Sequence, residues 1–237
     1  MNNIAVVLSG GSGTRMGTDL PKQYMDLLGK PVLVHTLGAL QRCQEVEGVV
    51  AVVHPAWEKR IFQWKEQFQL NKLLVAAPAG ENRQLSIRNG LLAAQPFMTQ
   101  NAGAGVIIQD AARPLTSVEL LSRLVQELQD APAVLPALPI TDTTYVSRDG
   151  QWVDGLLERS TLFAGQAPEA FHYWPYMMLY RDTPAEELGT MSGSCQLPYR
   201  AGWKVKLIQG EADNLKITYM GDWRMCEKLL TERGDTT

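Results

Sequence analysis

Short apolar runs rich in β-branched residues alternate along this chain with longer stretches that carry one apolar face. The short runs show no alternation of apolar and polar residues, which is typical of strands buried on both faces of a parallel sheet. Such an order predicts an α/β fold, a mostly parallel sheet flanked by helices. The predicted central strands are residues 4–8, 49–53, 106–109 and 133–138, and the helices between the first three are residues 32–41, 57–68 and 84–94.

A further helix is predicted before the fourth strand. Thr116 begins a Thr-x-x-Glu pattern, in which the Thr116 hydroxyl accepts from the amide of Glu119 and the Glu119 carboxylate bonds back. Later the chain returns through a predicted strand at residues 204–208 to a last helix. The apolar faces of these two helices are Val118, Leu121, Leu124, Val125 and Leu128 in the first and Trp223, Cys226, Leu229 and Leu230 in the second.

The pattern changes after Pro139. Residues 143–147 and 152–157 are strand-like, and the Arg-Asp-Gly sequence at residues 148–150 is typical of a hairpin turn. We therefore expect a projecting β-arm at about residues 139–162.

Length and composition favour one domain that spans residues 1–237. A chain of 237 residues with 45% hydrophobic content can bury a full core. An exposed arm that carries Tyr145 and Trp152 needs a cover, so we expect a homodimer formed through the arm.

Charge and hydropathy exclude several classes of protein. The net charge of -3 provides no broad basic surface for nucleic acid. No stretch approaches the roughly 18 apolar residues of a membrane span, and the first residues lead into too short an apolar run for a signal peptide. We therefore expect a cytoplasmic protein that binds neither nucleic acid nor a membrane. The cysteines and histidines do not have the spacing of metal ligands, so we expect reduced thiols and no metal site built from protein side chains. These residues are Cys43, Cys195, Cys226, His35, His54 and His172.

Candidate chemistry concentrates where the first predicted strand ends, at the sequence SGGSGTRMG of residues 9–17. Glycines let the backbone approach a ligand and turn several N–H groups inwards, which favours phosphate oxygens. Arg15 and Lys22 add two full positive charges to the loop of residues 9–22. A plain glycine-rich turn is the alternative, but the two cations favour a triphosphate cradle.

This loop matches neither of two common glycine-rich motifs. It lacks the GxxxxGK[ST] spacing, and Met16 stands where GxGxxG needs its third glycine. The second strand also ends at His54 rather than at an acidic residue suited to a ribose hydroxyl. A nicotinamide-dependent enzyme is therefore disfavoured.

A second cluster, DAARP at residues 110–114, follows directly from the third predicted strand. Strand carboxyl ends are where α/β sheets place ligands. Asp110 is suited to a ribose hydroxyl or to Mg²⁺, and the small Ala111 and Ala112 leave room for a sugar. A local turn with Asp110 bonded to nearby amides is the alternative.

Four separated motifs occur here in the order found in one family. SGGSGTRMG, PKQY at residues 21–24, DAARP, and DNLKIT at residues 213–218 together resemble the methylerythritol-phosphate and ribitol-phosphate cytidylyltransferases. The segment RQLSIRNGL at residues 83–91, the arm and the Pro168 segment fall where that family has comparable elements. The resemblance covers nearly the whole chain and implies a Rossmann-like sheet.

The resemblance also implies a reaction. CTP would react with a polyol phosphate, of the 2-C-methyl-D-erythritol 4-phosphate or ribitol 5-phosphate type, to give a CDP-alditol and pyrophosphate. Arg15 and Lys22 would steady the triphosphate, and Lys216 would meet charge growing on the α-phosphate. The implied cofactor is Mg²⁺, held mainly by phosphate oxygens, with Asp110 as the candidate protein ligand.

Binding residues are assigned by the same resemblance. Acceptor binding is assigned to Thr143, Arg159 and Arg113, with the arm reaching into the neighbouring subunit's site. Cytosine would lie against the backbone of residues 8–11. The nucleotide set is Leu8, Ser9, Gly10, Gly11, Ser12, Gly13, Thr14, Gly80, Arg83, Ser86, Asp110 and Ala111.

Two segments depart from the family's usual residues. MSGS at residues 191–194 stands where a Thr-Asp pair is common, and APE at residues 167–169 replaces Thr-Pro-Gln. Both fall on the acceptor side, and LSGG at residues 8–11 is closer to the ribitol-type entry. The acceptor and its pathway, isoprenoid or cell-surface polymer, therefore stay open. Another sugar-phosphate nucleotidyltransferase and a non-catalytic nucleotide-binding protein also remain as alternatives.

Overall fold

An eight-stranded sheet lies at the centre of the molecule. The computed structural model describes residues 1–11 and 20–234. Within them no helix has both the length and the apolar character that crossing a membrane requires. The strands are β1 (Asn3–Leu8), β2 (Asp26–Leu27), β3 (Lys30–Pro31), β4 (Gly48–Val53), β5 (Leu73–Pro78), β6 (Gly105–Asp110), β7 (Ala133–Pro139), β8 (Tyr145–Val146), β9 (Gly155–Leu156), β10 (Phe163–Gly165), β11 (Glu169–His172) and β12 (Val205–Gln209). The helices are α1 (Val32–Arg42), α2 (Glu58–Gln67), α3 (Arg83–Ala94), α4 (Val118–Glu127), α5 (Tyr173–Asp182), α6 (Ala185–Gly189), α7 (Gln196–Arg200) and α8 (Met220–Glu232).

The strand order of the sheet is β10-β7-β11-β6-β1-β4-β5, with β12 also paired to β7. Strands β6, β1, β4 and β5 are mutually parallel, whereas β11 runs antiparallel between β6 and β7. Strand β1 lies between β4 and β6, so that Leu8 is level with Val52 and Asp110. The predicted α/β fold with a mostly parallel sheet is confirmed.

Helices on both faces bury the central strands. Along β1, Ala5 and Val7 face a core that includes Leu33 of α1, and Ile4 and Val6 face a second core that includes Ile87 of α3. All of these side chains are fully buried. Burial on both faces explains why the strands are continuous apolar runs in the sequence.

Element positions confirm most of the sequence predictions. The four predicted strands became β1, β4, β6 and β7, and the three helices became α1, α2 and α3, each within one or two residues at either end. The predicted strand at residues 204–208 is β12, and the last helix is α8. Strands β2, β3, β5, β10 and β11 and helices α5 to α7 were not predicted.

The predicted start of α4 was wrong. Ser117, not Thr116, caps the helix, and its hydroxyl accepts from the amide of Leu120 at 2.9 Å. Thr116 is instead buried, where its hydroxyl accepts from Gln109 Nε2 at 2.9 Å and lies 3.0 Å from Oδ1 of Asn214. The threonine is therefore used in a tertiary contact, which leaves the next hydroxyl to cap the helix.

The two hairpin strands of the predicted arm are shorter than expected. Two residue pairs join β8 to β9, Tyr145 with Leu156 and Val146 with Gly155. The carboxylate of Asp149 accepts from the amides of Gln151 at 2.8 Å and Trp152 at 3.1 Å. Because these two amides bond to Asp149, they do not pair with the opposite strand. The turn is therefore wide and the paired strands are short.

Candidate active site

A cavity of about 590 Å³ opens at the carboxyl ends of β1 and β6. Carboxyl ends of parallel strands are the usual place for a ligand in an open α/β sheet. The glycine-rich entry, the start of α3, the DAARP motif and the DNLKIT motif all meet there. The described lining consists of Leu8, Ser9, Gly10, Gly11, Lys22, Gln23, Gly80, Glu81, Asn82, Arg83, Ser86, Asp110, Ala111, Ala112 and Lys216.

The side chains of Gln23 and Tyr24 hold the first part of the glycine-rich loop in place. Gln23 Nε2 donates to the carbonyl oxygens of Ser9 and Gly11, both at 2.7 Å, and the Tyr24 hydroxyl donates to the same Ser9 oxygen at 2.8 Å. The Tyr24 ring stacks on Trp57 with 4.1 Å between centroids. These contacts fix the backbone where it enters the cavity.

The predicted residues Ser12, Gly13, Thr14 and Arg15 lie outside the described residues, as does Met16. Lys22, at the far end of the loop, begins a short 3-10 helix and lines the cavity. Of the two cations predicted in this loop, the structure therefore places Lys22 beside the other cavity residues.

The opposite wall comes from the turn before α3. Asn82 caps the helix by accepting from the amide of Leu85 at 3.0 Å. The Ser86 hydroxyl donates to the Asn82 carbonyl at 2.9 Å and accepts from the amide of Gly80 at 3.0 Å. A Cβ on Gly80 would overlap the backbone of Leu85, which explains the glycine. Ser86 therefore shapes the turn as well as facing the cavity.

Asp110 is a buried carboxylate in contact with three cations. Its Oδ1 accepts from Nη1 of Arg83, and its Oδ2 lies 2.8 Å from Nζ of Lys216 and 3.6 Å from Nε of Arg113. Burial alone would raise the pKa of Asp110, but the charges of Arg83, Lys216 and Arg113 outweigh burial and hold it well below its ordinary value. Asp110 is ionised at neutral pH. The three cations gathered around it make this wall of the cavity positively charged.

Lys216 reaches this wall because the DNLKIT motif is anchored to the DAARP motif. Arg113 Nη1 donates to the Asn214 carbonyl at 2.6 Å, and the Ile217 amide donates to the Ala112 carbonyl at 2.9 Å. Asn214 Nδ2 also donates to the Ala167 carbonyl at 2.8 Å. The geometry makes Arg113 a support for the loop that carries Lys216; its assignment to the acceptor stays a prediction.

The arm residues assigned to the acceptor lie elsewhere. Thr143 and Arg159 are exposed, and neither belongs to the described lining of the cavity. The Arg159 guanidinium donates to the carbonyl of Thr141 at 2.9 Å, within the arm. Their roles stay predictions.

Several residues of the site were not predicted. Gln23 lies in a quoted motif, and an asparagine at position 82 before an amphipathic run is a recognisable helix cap. Glu81 carries no such signal. Ser194, whose hydroxyl accepts from Nη2 of Arg83 at 2.9 Å, comes from more than a hundred residues later in the chain. Only tertiary structure brings it to the site.

Few side chains of the described cavity lining could bind Mg²⁺. Among the described residues, no three His, Cys, Asp or Glu side chains are grouped to hold a metal ion. Glu81 and Asp110 are the carboxylates of the described lining, and Asp110 is already paired with cations. This set fits a Mg²⁺ ion that enters on phosphate oxygens, keeps several waters and uses few protein ligands.

Comparison with known proteins agrees with this geometry. The model of one family, IspD: 2-C-methyl-D-erythritol 4-phosphate cytidylyltransferase, matches residues 3–232. The chain belongs to this family. It is therefore a nucleotidyltransferase, which confirms the enzyme class predicted from the four motifs.

Individual members of the family align over nearly the full chain. The 2-C-methyl-D-erythritol 4-phosphate cytidylyltransferase of Rubrobacter xylanophilus is 39% identical over 231 residues, which are 97% of this chain and 95% of that protein. That of Cereibacter sphaeroides is 36% identical over 233 residues, 97% of each chain. The crystal structure of 4-diphosphocytidyl-2C-methyl-D-erythritol synthase from Anaerococcus prevotii has a TM-score of 0.79 at 25% identity and covers 97% of this chain and 96% of its own.

Proposed function

We propose that this chain transfers the cytidylyl group of CTP to 2-C-methyl-D-erythritol 4-phosphate, with release of pyrophosphate. Family membership over residues 3–232 supports both substrates. The observation that carries the proposal is the cluster of Arg83, Lys216 and Asp110 beside the glycine-rich entry. Such a cavity suits a ribose and a polyphosphate together.

The chemistry needs no protein base. The acceptor phosphate, with a second pKa of about 6, is largely dianionic at neutral pH. One of its oxygens attacks the α-phosphorus of CTP, the bond from that phosphorus to the α–β bridging oxygen breaks, and pyrophosphate leaves with that oxygen. Positioning and charge stabilisation are what the protein supplies.

Each cation has a place in this scheme. Lys22 and Arg15 would stabilise the triphosphate and the leaving pyrophosphate, and Lys216 would stabilise charge on the α-phosphate. The side chain of Lys216 is 41% exposed while it touches Asp110, so its ammonium is accessible from the cavity. Asp110 holds Lys216 and Arg83 in place before the nucleotide arrives.

Mg²⁺ is the proposed cofactor. Bound to phosphate oxygens of CTP, it would neutralise charge on the triphosphate and the leaving pyrophosphate. Asp110 is the candidate protein ligand, although the cations around it favour an ion held mainly by phosphates and water.

The proposed assembly is a homodimer formed through the arm, in which Thr143 and Arg159 reach the partner's site to bind the acceptor phosphate. In support, the arm exposes large apolar side chains, with Trp152 75% and Leu156 65% exposed. A planar guanidinium such as Arg159 suits a phosphate. A CTP-consuming step of isoprenoid biosynthesis would take place in the cytoplasm.

A pyrophosphate-release assay tests the reaction. CTP, UTP, GTP and ATP are each combined with Mg²⁺ and the phosphates of methylerythritol, ribitol, erythritol or glycerol. We expect turnover with CTP and methylerythritol phosphate, and loss of turnover when a chelator removes Mg²⁺. Preference for ribitol phosphate would change the acceptor, preference for another triphosphate would change the base, and no release with any pair would overturn the proposal.

A further inference from the structure

Two fully buried residues, Asn214 and Ile217, flank Lys216 in the loop that brings it to the cavity. The Asn214 side chain donates through Nδ2 to the Ala167 carbonyl at 2.8 Å. The Ile217 amide donates to the Ala112 carbonyl at 2.9 Å. The side chain of Lys216 itself is 41% exposed. Where its ammonium lies therefore depends on how firmly the flanking residues hold the backbone.

A buried threonine, Thr116, holds the side chain of Asn214. Its hydroxyl lies 3.0 Å from Oδ1 of Asn214 and 3.1 Å from the carbonyl oxygen of Arg113. The same hydroxyl accepts from Nε2 of Gln109, a fully buried residue, at 2.9 Å. One proton is shared between two acceptors, and one donor is received. The hydroxyl is therefore fully used within the protein.

Neither of the usual local roles accounts for this hydroxyl. The start of α4 does not need it, because Ser117 caps that helix. Its contact with the Arg113 carbonyl is a local turn and would be present without Asn214. The contact with Asn214 differs from both, since it joins residues 98 positions apart in the chain. It ties the turn after β6 to the loop that carries Lys216.

Both partners of one ion pair depend on that link. Asp110 begins the turn of residues 110–116, and its Oδ2 lies 2.8 Å from Nζ of Lys216. Thr116 ends the same turn and contacts Asn214, two residues before the lysine. Without the hydroxyl, Oδ1 of Asn214 would lose a partner in a place closed to water, which favours a shift of this backbone.

We propose that Thr116 is a positioning residue whose hydroxyl, acting through Asn214, holds the Lys216 ammonium at Asp110. Thr116 is not among the described residues that line the cavity, and its effect on the reaction passes through Lys216. This inference rests on the proposed function, in which Lys216 stabilises charge on the α-phosphate. Displacement of such a group slows the chemical step more than it weakens binding of CTP.

The variant Thr116→Val keeps the branched shape and removes the hydroxyl. We expect kcat to fall about fivefold, because the ammonium of Lys216 is displaced from the α-phosphate. KM for CTP should change by less than about twofold, since the side chains that line the cavity remain. Thr116→Ala also lacks the hydroxyl, should show the same loss, and replaces the valine variant if that variant does not fold.

Two further variants separate the hydroxyl from the shape of the side chain. Thr116→Ser keeps a hydroxyl and loses a methyl group, so kcat should stay within about twofold of the wild type. Thr183→Val is the matched control, because it removes a hydroxyl that donates to the Leu179 carbonyl at the end of α5, away from Lys216. It should keep the wild-type kcat. All rates are measured below the thermal unfolding transition of each variant.

A double-mutant cycle with Lys216→Ala tests the route of the effect. If Thr116 acts through Lys216, adding Thr116→Val should change the rate of Lys216→Ala by less than about twofold. The idea is wrong if the two losses multiply, if Thr116→Ser is as slow as Thr116→Val, or if Thr116→Val keeps the wild-type kcat. Absence of CTP-dependent release by the wild-type protein would instead overturn the proposed function, so the two failures are distinguishable.

Discussion

The wall of the cavity and the β-arm hold their charged side chains in opposite ways. At the wall, Asp110 and Arg113 are buried, and each bonds to a group from another part of the chain. In the arm, Arg159 is exposed and bonds to a backbone oxygen of the same arm. The cavity wall is therefore preorganised within one chain. The contacts of Arg159 lie within the arm, so the role proposed for it needs a surface from a second chain.

The largest expected effect is on catalysis at the wall. Lys216→Ala should lower kcat by about 10²–10³-fold, because it removes a positive charge aimed at the transition state. Lys22→Ala should act in the same direction. Stability should change little for Lys216→Ala, since its side chain is 41% exposed and two arginines remain near Asp110.

Steady-state pyrophosphate release and thermal unfolding measure the two quantities separately. Lys206→Ala, in an exposed pair with Glu127, is the control and should behave as wild type. Normal rates in Lys22→Ala and Lys216→Ala would refute the roles given to these lysines.

The next effect concerns stability and its pH dependence. Asp110→Asn should lower the free energy of unfolding at neutral pH by about 3 kcal/mol, because it leaves the buried Arg113 and the half-buried Arg83 without their anion. The folded-state pKa of Asp110 lies below its ordinary value of about 3.9, so its charge stabilises the fold above that value. This stabilisation is lost as the pH falls through the folded-state pKa.

Urea unfolding at several pH values checks this prediction. The variant should lose less stability on acidification than the wild type does. Asp182→Asn, which breaks an exposed pair with Arg181, should leave the curve unchanged. Equal acid dependence of wild type and Asp110→Asn would contradict the role of the three cations.

The sequence predicted the wall better than it predicted the arm. Continuous apolar runs predicted β1 and β6. The first residue after each strand lines the cavity: Ser9 after β1 and Ala111 after β6. Those signals are local. Ser194 reaches Arg83 only through tertiary structure, and its neighbours in sequence gave no chemical signal beyond a departure from the family's residues.

Two errors of prediction have the same physical origin. Thr116 looked like a helix cap but bonds to Asn214, and the hairpin strands looked longer than the two pairs that form. In each case a polar side chain takes a hydrogen bond that the local pattern assigned elsewhere. Thr116 does so across the fold, and Asp149 does so within the turn.

A smaller effect is expected from the glycine-rich entry, where two adjacent glycines differ. A Cβ on Gly10 would overlap the Cβ of Ala79, whereas a Cβ on Gly11 would meet no described atom within 4 Å. Gly10→Ala should lower the free energy of unfolding by about 1–3 kcal/mol and raise KM for CTP, because the backbone must shift. Gly11→Ala is the matched control and should keep the wild-type stability. Equal unfolding curves for both variants would show that the entry tolerates displacement.

The arm should give the smallest effect on the stability of one chain and the clearest effect on association. Trp152 is 75% exposed, so Trp152→Ser should change the free energy of unfolding of a single chain by less than about 0.5 kcal/mol. If the arm forms the dimer, the same change should raise the dimer dissociation constant, measured by analytical ultracentrifugation over a range of concentrations. It should also lower turnover at dilution, since Arg159 would no longer reach the partner's site. Tyr199→Ser, at a side chain 74% exposed outside the arm, should leave association unchanged. A monomeric wild type with full activity would show that the site needs no arm from a partner.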